Sequence, residues 1–236
     1  MIEAVKKLSD REVRIPFILV TTSFFLDTFS GSSAIIYYSV EIFGSEDEGV
    51  VGLNKYLASI IVAAIIVIGG ILGMFLVKIQ PRVRLSMIMM TVKSVCMGVL
   101  ATAISMSLSD YQLNIIKVTT VTVYMLCSSA GQSVNQSVSF KIKIPISGTS
   151  ALQFVFLGEL LPQDYRALAG VILSLYFLAI FIVTKTFYGL LAFSGVYWGF
   201  AAVCLTSNLF YSMLMPETKE KTPQEIREIF QKYSVW

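Results

Sequence analysis

The chain contains no histidine, three cysteines and few charges, and these shortages exclude most soluble chemistry before any motif is sought. Without histidine there is no Ser-His-Asp triad, no Cys-His dyad and no histidine-ligated zinc. Cys96, Cys127 and Cys204 stand singly inside apolar runs, without pairing or ligand spacing, and read as small buried thiols. There is no nucleophile-base pair, metal cluster or phosphate-cradling loop, so the pattern is not that of an enzyme and implies neither a metal nor another cofactor. Charged residues are 14% of the sequence, against roughly a quarter in ordinary soluble domains, which argues against a water-soluble domain.

What fills the chain is apolar: 56% of residues are hydrophobic and the mean hydropathy is +0.75. Runs of about 20 such residues, enough to cross about 30 Å of hydrocarbon as helix, recur along the sequence. They fall at residues 16–43, 56–77, 85–108, 116–160 with an interruption, 168–190 and 195–214. The runs lack the period-two alternation of a membrane barrel, so the expected fold is an all-α membrane protein of six transmembrane helices. No cleavable signal peptide is expected, and the first span is expected to direct insertion.

Lys and Arg gather on alternate connections. Lys6, Lys7, Arg11 and Arg14 precede the first span, Lys78, Arg82 and Arg84 follow the second, and Arg166 follows the fourth. Lys219, Lys221, Arg227 and Lys232 lie in the tail, whereas Glu46, Asp47, Glu48 and Asp110 mark the opposite loops. By the positive-inside rule both termini are expected in the cytoplasm, with residues 1–15 and 215–236 as linker and tail around a membrane unit at 16–214. The net charge of +3 then reflects membrane topology rather than nucleic-acid binding.

Four stretches carry a resemblance. FFLDTFSGSSAIIYYSVEIF in the first span is similar to F-Q-Q-x-S-G-x-N-A-x-x-Y-Y, with Ser30, Gly31, Ala34, Tyr37 and Tyr38 in register. GELLPQDYRALAG at 158–170 resembles G-E-x-x-P-x-x-x-R-G, and IVTKTF at 182–187 and PETKEKT at 216–222 follow in order. Together they resemble the sugar-porter branch of the major facilitator superfamily, with a facilitated trehalose or glucose transporter-like pattern. The resemblance implies helices seven to twelve, the carboxy-terminal half of a twelve-helix fold. The expected partners are then membrane lipid, a neutral sugar and an amino-terminal six-helix half. The expected location is the plasma membrane.

That resemblance also places candidate residues. Asp27 and Thr28 stand at the family's two glutamines, Ser33 at its asparagine and Phe154 at its tryptophan, with Tyr37 and Tyr38 toward the outer entrance. Amides and hydroxyls facing a cavity, with aromatic faces beside them, are what an uncharged sugar offers a protein to hold. Asp27, placed near the middle of its span, is read either as a hydroxyl acceptor or proton carrier, or as a buried packing residue that is protonated or lysine-paired. Tyr37 and Tyr38 are gates or interfacial anchors. Lys93, eight residues inside its expected span, is near enough to the cytoplasmic end to snorkel. Arg82, Glu159 and Arg166 match an ion-pair network that the resemblance implies at the cytoplasmic gate.

Two further features are local. Residues 132–148, QSVNQSVSFKIKIPISG, interrupt the fourth span with a polar piece of 17 residues that carries Lys141, Lys143 and Pro145, and read as an insertion from a retained intron or mispredicted exon. Gly69 and Gly73 form a G-x-x-x-G pattern suited to close helix packing within the chain or to a dimer face.

Overall fold

A computed structural model describes residues 11–42, 55–106, 109–132, 166–190 and 193–216. Among these residues every regular element is a helix. In chain order they are α1 (Arg11–Phe29), α2 (Ser32–Tyr37), α3 (Ser39–Ile42), α4 (Lys55–Ile79), α5 (Arg82–Ser105), α6 (Asp110–Gln132), α7 (Arg166–Leu190) and α8 (Ser194–Leu214). Six of them run 19 to 25 residues, or about 29–38 Å at 1.5 Å per residue, which is the length a bilayer core demands. Four stretches, Phe17–Tyr37, Val83–Ser105, Tyr111–Ala130 and Gly170–Leu190, are also apolar enough to cross a membrane, and α4 carries the shorter apolar segment Ser59–Gly73. The protein is a multi-pass membrane protein, with six long helices among the described residues.

The first span is not one continuous helix. α1 stops at Phe29, Gly31 takes φ +88°, and α2 begins at Ser32. Only glycine adopts that backbone readily, and here it also makes room: a Cβ on Gly31 would come within 2.5 Å of the Phe200 ring of α8. Two other helix starts lie earlier than the apolar runs indicate, because α5 begins at Arg82 and α6 at Asp110, inside what reads as loop. Polar residues in the first turn of a membrane helix cost little at the interface, so hydropathy underestimates the helical reach.

Buried side chains form two clusters. One contains Leu19, Phe24, Met90, Ile172, Tyr176 and Tyr211, from α1, α5, α7 and α8. The other gathers Ile35, Met97, Leu100, Tyr124, Phe187, Tyr197 and Phe200 around the break, adding α2 and α6. Phe24 meets Tyr176 edge-on with centroids 5.0 Å apart, which joins α1 to α7. α5 is bound to α8 by Ser94, whose hydroxyl donates to the Ala201 carbonyl at 3.0 Å, and by Asn208, whose amide donates to Thr91. Val67, Ile71 and Phe75 of α4 and Phe177, Phe181 and Ile182 of α7 are exposed, as suits helices facing an apolar medium.

Gly69 explains the approach of α4 to α6. A Cβ there would lie 2.0 Å from the Ser129 hydroxyl oxygen and 2.9 Å from the Leu126 carbonyl oxygen, and a backbone atom cannot step aside. Gly69, the first glycine of that pattern, therefore serves packing inside the chain. Gly69→Ala and Gly31→Ala are each expected to destabilise the purified protein by about 1–3 kcal/mol through overpacking. Gly199→Ala, where a new Cβ would meet nothing within 4 Å, is expected to leave the melting temperature unchanged. Detergent-phase thermal unfolding of the three variants measures the difference.

Candidate functional site

The boundary between the two apolar clusters is a polar layer, built where α1 breaks. Along α5 the order is Met90 of the first cluster, then Lys93, then Cys96 and Met97 of the second. Along the first span it is Phe24, then Asp27 to Ser32, then Ala34. Lys93 Nζ lies 3.2 Å from Asp27 Oδ1, and the two side chains are 3% and 8% exposed. A charge so far from water is sustained only by a partner, and here each ion is the other's.

The pair has company. Lys93 Nζ stands 5.3 Å from the centroid of the Tyr124 ring, over an aromatic face that attracts cations. The Tyr124 hydroxyl donates to the Ser30 carbonyl at 2.8 Å and lies within hydrogen-bond reach of the Ser30 and Ser32 hydroxyls, at 3.3 and 3.1 Å. Ser128, one turn along α6, donates to the Ser32 hydroxyl at 2.9 Å. The hydroxyls thus answer the polar backbone that the helix break uncovers. Asp27 also sits in the last turn of α1, at the negative end of that helix, where its own charge is ill placed and a cation from α5 is well placed.

The sequence-predicted residues divide here. Asp27, Thr28 and Ser33 are all buried at the break. The Thr28 hydroxyl donates to its own helix at Phe24 O, 2.9 Å. Tyr37 is 67% exposed, whereas Tyr38 is half-buried and packs against Phe187 and Tyr188 of α7 at 6.0 and 5.3 Å. The two tyrosines therefore have different environments. Phe154 and Glu159 lie outside the described residues, as does the interruption at 133–148. Arg82 and Arg166 open α5 and α7, but their side chains lie outside the described residues, as therefore does the expected gate network.

The expected snorkelling of Lys93 is overturned. With α5 beginning at Arg82, Lys93 is the twelfth residue of a 24-residue helix, and its ammonium is buried against Asp27 instead of reaching an interface. Of the readings open for Asp27, lysine pairing is what the structure contains. Tyr124, Ser32 and Ser128 escape sequence reasoning because single hydroxyls in an apolar run give no signal of what they face. Opposite charges inside two separate spans, by contrast, are a signal.

A six-helix membrane unit with a broken first span and a buried polar layer is built like part of a membrane carrier. The chain belongs to the family described as "Sugar (and other) transporter", which it matches over residues 2–230. It is 28% identical over 209 residues to the facilitated trehalose transporter Tret1 of Drosophila yakuba, covering 86% of this chain and 22% of that protein. It is 26% identical over 237 residues to Tret1-1 of Drosophila simulans, covering 96% and 24%. Against the Tret1-2 homolog of Drosophila simulans the identity is 26%, over 86% of this chain and 39% of the relative. The chain thus spans between about a fifth and two-fifths of the length of these relatives.

Neutralising one member of the ion pair is expected to strand the other. Asp27→Asn or Lys93→Met alone should cost about 3–5 kcal/mol of stability. The double variant should recover most of that loss, and a double-mutant cycle in thermal unfolding reads the coupling.

Proposed function

We propose that this chain acts as the carboxy-terminal six-helix half of a sugar porter, moving a neutral hexose or trehalose-like sugar across the plasma membrane by alternating access. The observation that carries the reading is the family match over residues 2–230. In this reading an amino-terminal six-helix half supplies the other wall of a midplane cavity, and the two halves rock against each other. Both termini face the cytoplasm, consistent with the placement of Lys and Arg.

Sugar recognition is assigned to the broken first span and its neighbours: Asp27, Thr28, Ser33, Tyr37, Tyr38 and Phe154. Tyr37 offers an exposed aromatic face with a hydroxyl, the combination that suits a sugar ring and its substituents. Arg82, Glu159 and Arg166 would close the cytoplasmic side in the outward-facing state and part on inward opening.

A second reading has an observation of its own. The Asp27 carboxylate is engaged by Lys93 and the Thr28 hydroxyl by Phe24 O, so both positions matching the family's glutamines have partners inside the protein. That favours a non-transporting paralogue that binds or regulates another carrier. Uptake separates the two. The longest translated form of the gene, placed in proteoliposomes, is expected to take up labelled trehalose or glucose saturably, and Tyr37→Ala is expected to weaken it about tenfold, the equivalent of about 1.4 kcal/mol. Absence of uptake for both sugars, with altered uptake by a co-expressed carrier, would establish the second reading instead.

A further inference from the structure

The broken span turns different chemistry inward and outward. Inward, the Asp27 carboxylate meets Lys93, the Thr28 hydroxyl bonds to Phe24 O, and the Ser32 hydroxyl meets Tyr124 and Ser128. All three of these side chains are buried. Outward, at the last position of α1, stands Phe29, 45% exposed. Its ring lies nearly parallel to that of Phe25 one turn earlier, with centroids 6.3 Å apart and an interplanar angle of 17°. Phe25 is itself partly buried, so the outer ring is held against a fixed one and its free face is set in advance.

Such exposure is out of place on this helix. The stretch Phe17–Tyr37 is 67% buried, against 22% for Gly170–Leu190. A wall that faces lipid is built otherwise: α4 exposes Ile60, Val67, Ile71 and Phe75, and α7 exposes Leu175, Leu178 and Ile182, all at helical spacing. Among the described residues of α1, the large apolar side chains exposed are Ile18 and Phe29, about three turns apart, with Thr21 and Thr22 half-buried between them. A single braced aromatic on an otherwise enclosed helix, reached past hydroxyls, lines an opening. What such an opening suits is a molecule with an apolar C–H face and a polar rim, and a pyranose ring is that molecule.

We propose that Phe29, braced by Phe25, is the stacking platform on which this half holds a pyranose ring, so that α1 meets the sugar through an aromatic face. The proposal rests on the transport reading above and adds to it a residue and a mode of recognition. In the pattern that the first span resembles, Phe29 falls at the open position between the two glutamines and the S-G pair. The mode has a consequence for specificity. An aromatic face touches the C–H surface of a ring and does not read the direction of any one hydroxyl, so its loss weakens epimers alike. A hydrogen-bonding side chain would sort them, because each mismatch leaves a polar group unpaired.

The test compares the wild type, Phe29→Leu and Phe29→Tyr, each in the longest translated form of the gene and placed in proteoliposomes with labelled glucose, galactose, mannose and trehalose. Leucine keeps apolar bulk and removes the face; because the position is exposed, the melting temperature is expected to stay within about 2 °C of the wild type. The half-saturation concentration is expected to rise about tenfold for every sugar the wild type carries, with maximal rates within about twofold and the rank order of sugars kept. Phe29→Tyr, which returns the face, is expected to fall within about twofold of the wild type.

Three results would overturn the proposal and leave the transport reading standing. An unchanged half-saturation in Phe29→Leu would put the ring against lipid. A lower maximal rate at unchanged half-saturation would make Phe29 a packing residue of the break, and an altered rank order would mean that the position reads hydroxyls. A wild type that carries none of the four sugars ends both readings together. If Phe29→Leu does not fold, Phe29→Trp decides: its added emission, over that of Trp198 and Trp236, is expected to move to shorter wavelength when the transported sugar is added, and an unmoved spectrum would overturn the proposal.

Discussion

Hydrocarbon offers a polar group no partner, and many of the described hydroxyls are placed accordingly. Thr21, Ser23, Thr28, Thr102, Ser174, Thr206 and Ser207 each donate to a carbonyl three or four residues earlier on their own helix. Such bonds let a polar residue enter the membrane without committing it to a neighbour. A second set reaches between helices: Ser32 and Ser128, Tyr124 and Ser30, Ser94 and Ala201, and above all Asp27 and Lys93. Most of these gather at one level of the bundle, where the first span breaks and its backbone can no longer satisfy itself.

The break and the ion pair depend on each other. Gly31 bends the chain past Phe200, which ends α1 early and leaves Asp27 in its final turn. A carboxylate at the negative end of a helix needs a cation, and Lys93 from α5 is aligned with it by the packing of α5 against α8 and α6. Tyr124 then serves two tasks from one position, its ring beside the ammonium and its hydroxyl on the Ser30 carbonyl that the break sets free. The apolar clusters on either side keep water from this layer, which makes its interactions strong and any vacancy in it costly.

Sequence pattern alone conveys the helices, their number and the kind of protein, because hydropathy over some twenty residues is a strong, local signal. It also marks Gly31 and Asp27, the one by its place in a family-like motif and the other by being a charge within a span. What it misses is tertiary. Lys93 reads as an interfacial residue when the helix is thought to start at 85, and becomes a central one when the helix starts at Arg82. Three residues of helix, less than one turn, reverse the meaning of that lysine. The roles of Tyr124, Ser32 and Ser128 follow from which helices touch, and no periodicity reports that. Tyr37 and Tyr38, adjacent in sequence and alike in chemistry, part company because α2 ends between them, leaving one exposed and the other against α7.

The ion pair also orders events at the ribosome. Asp27 and Lys93 are 66 residues apart, so α1 is synthesised well before its counter-charge exists. At about 5–20 residues per second the carboxylate waits on the order of 3–13 s. Through that interval α1 carries a charge whose place at the bilayer centre costs about 2.5–3.5 kcal/mol, which holds it near the insertion machinery rather than in lipid. The arrival of α5 removes the penalty, so α1 settles only when a helix made two spans later reaches it.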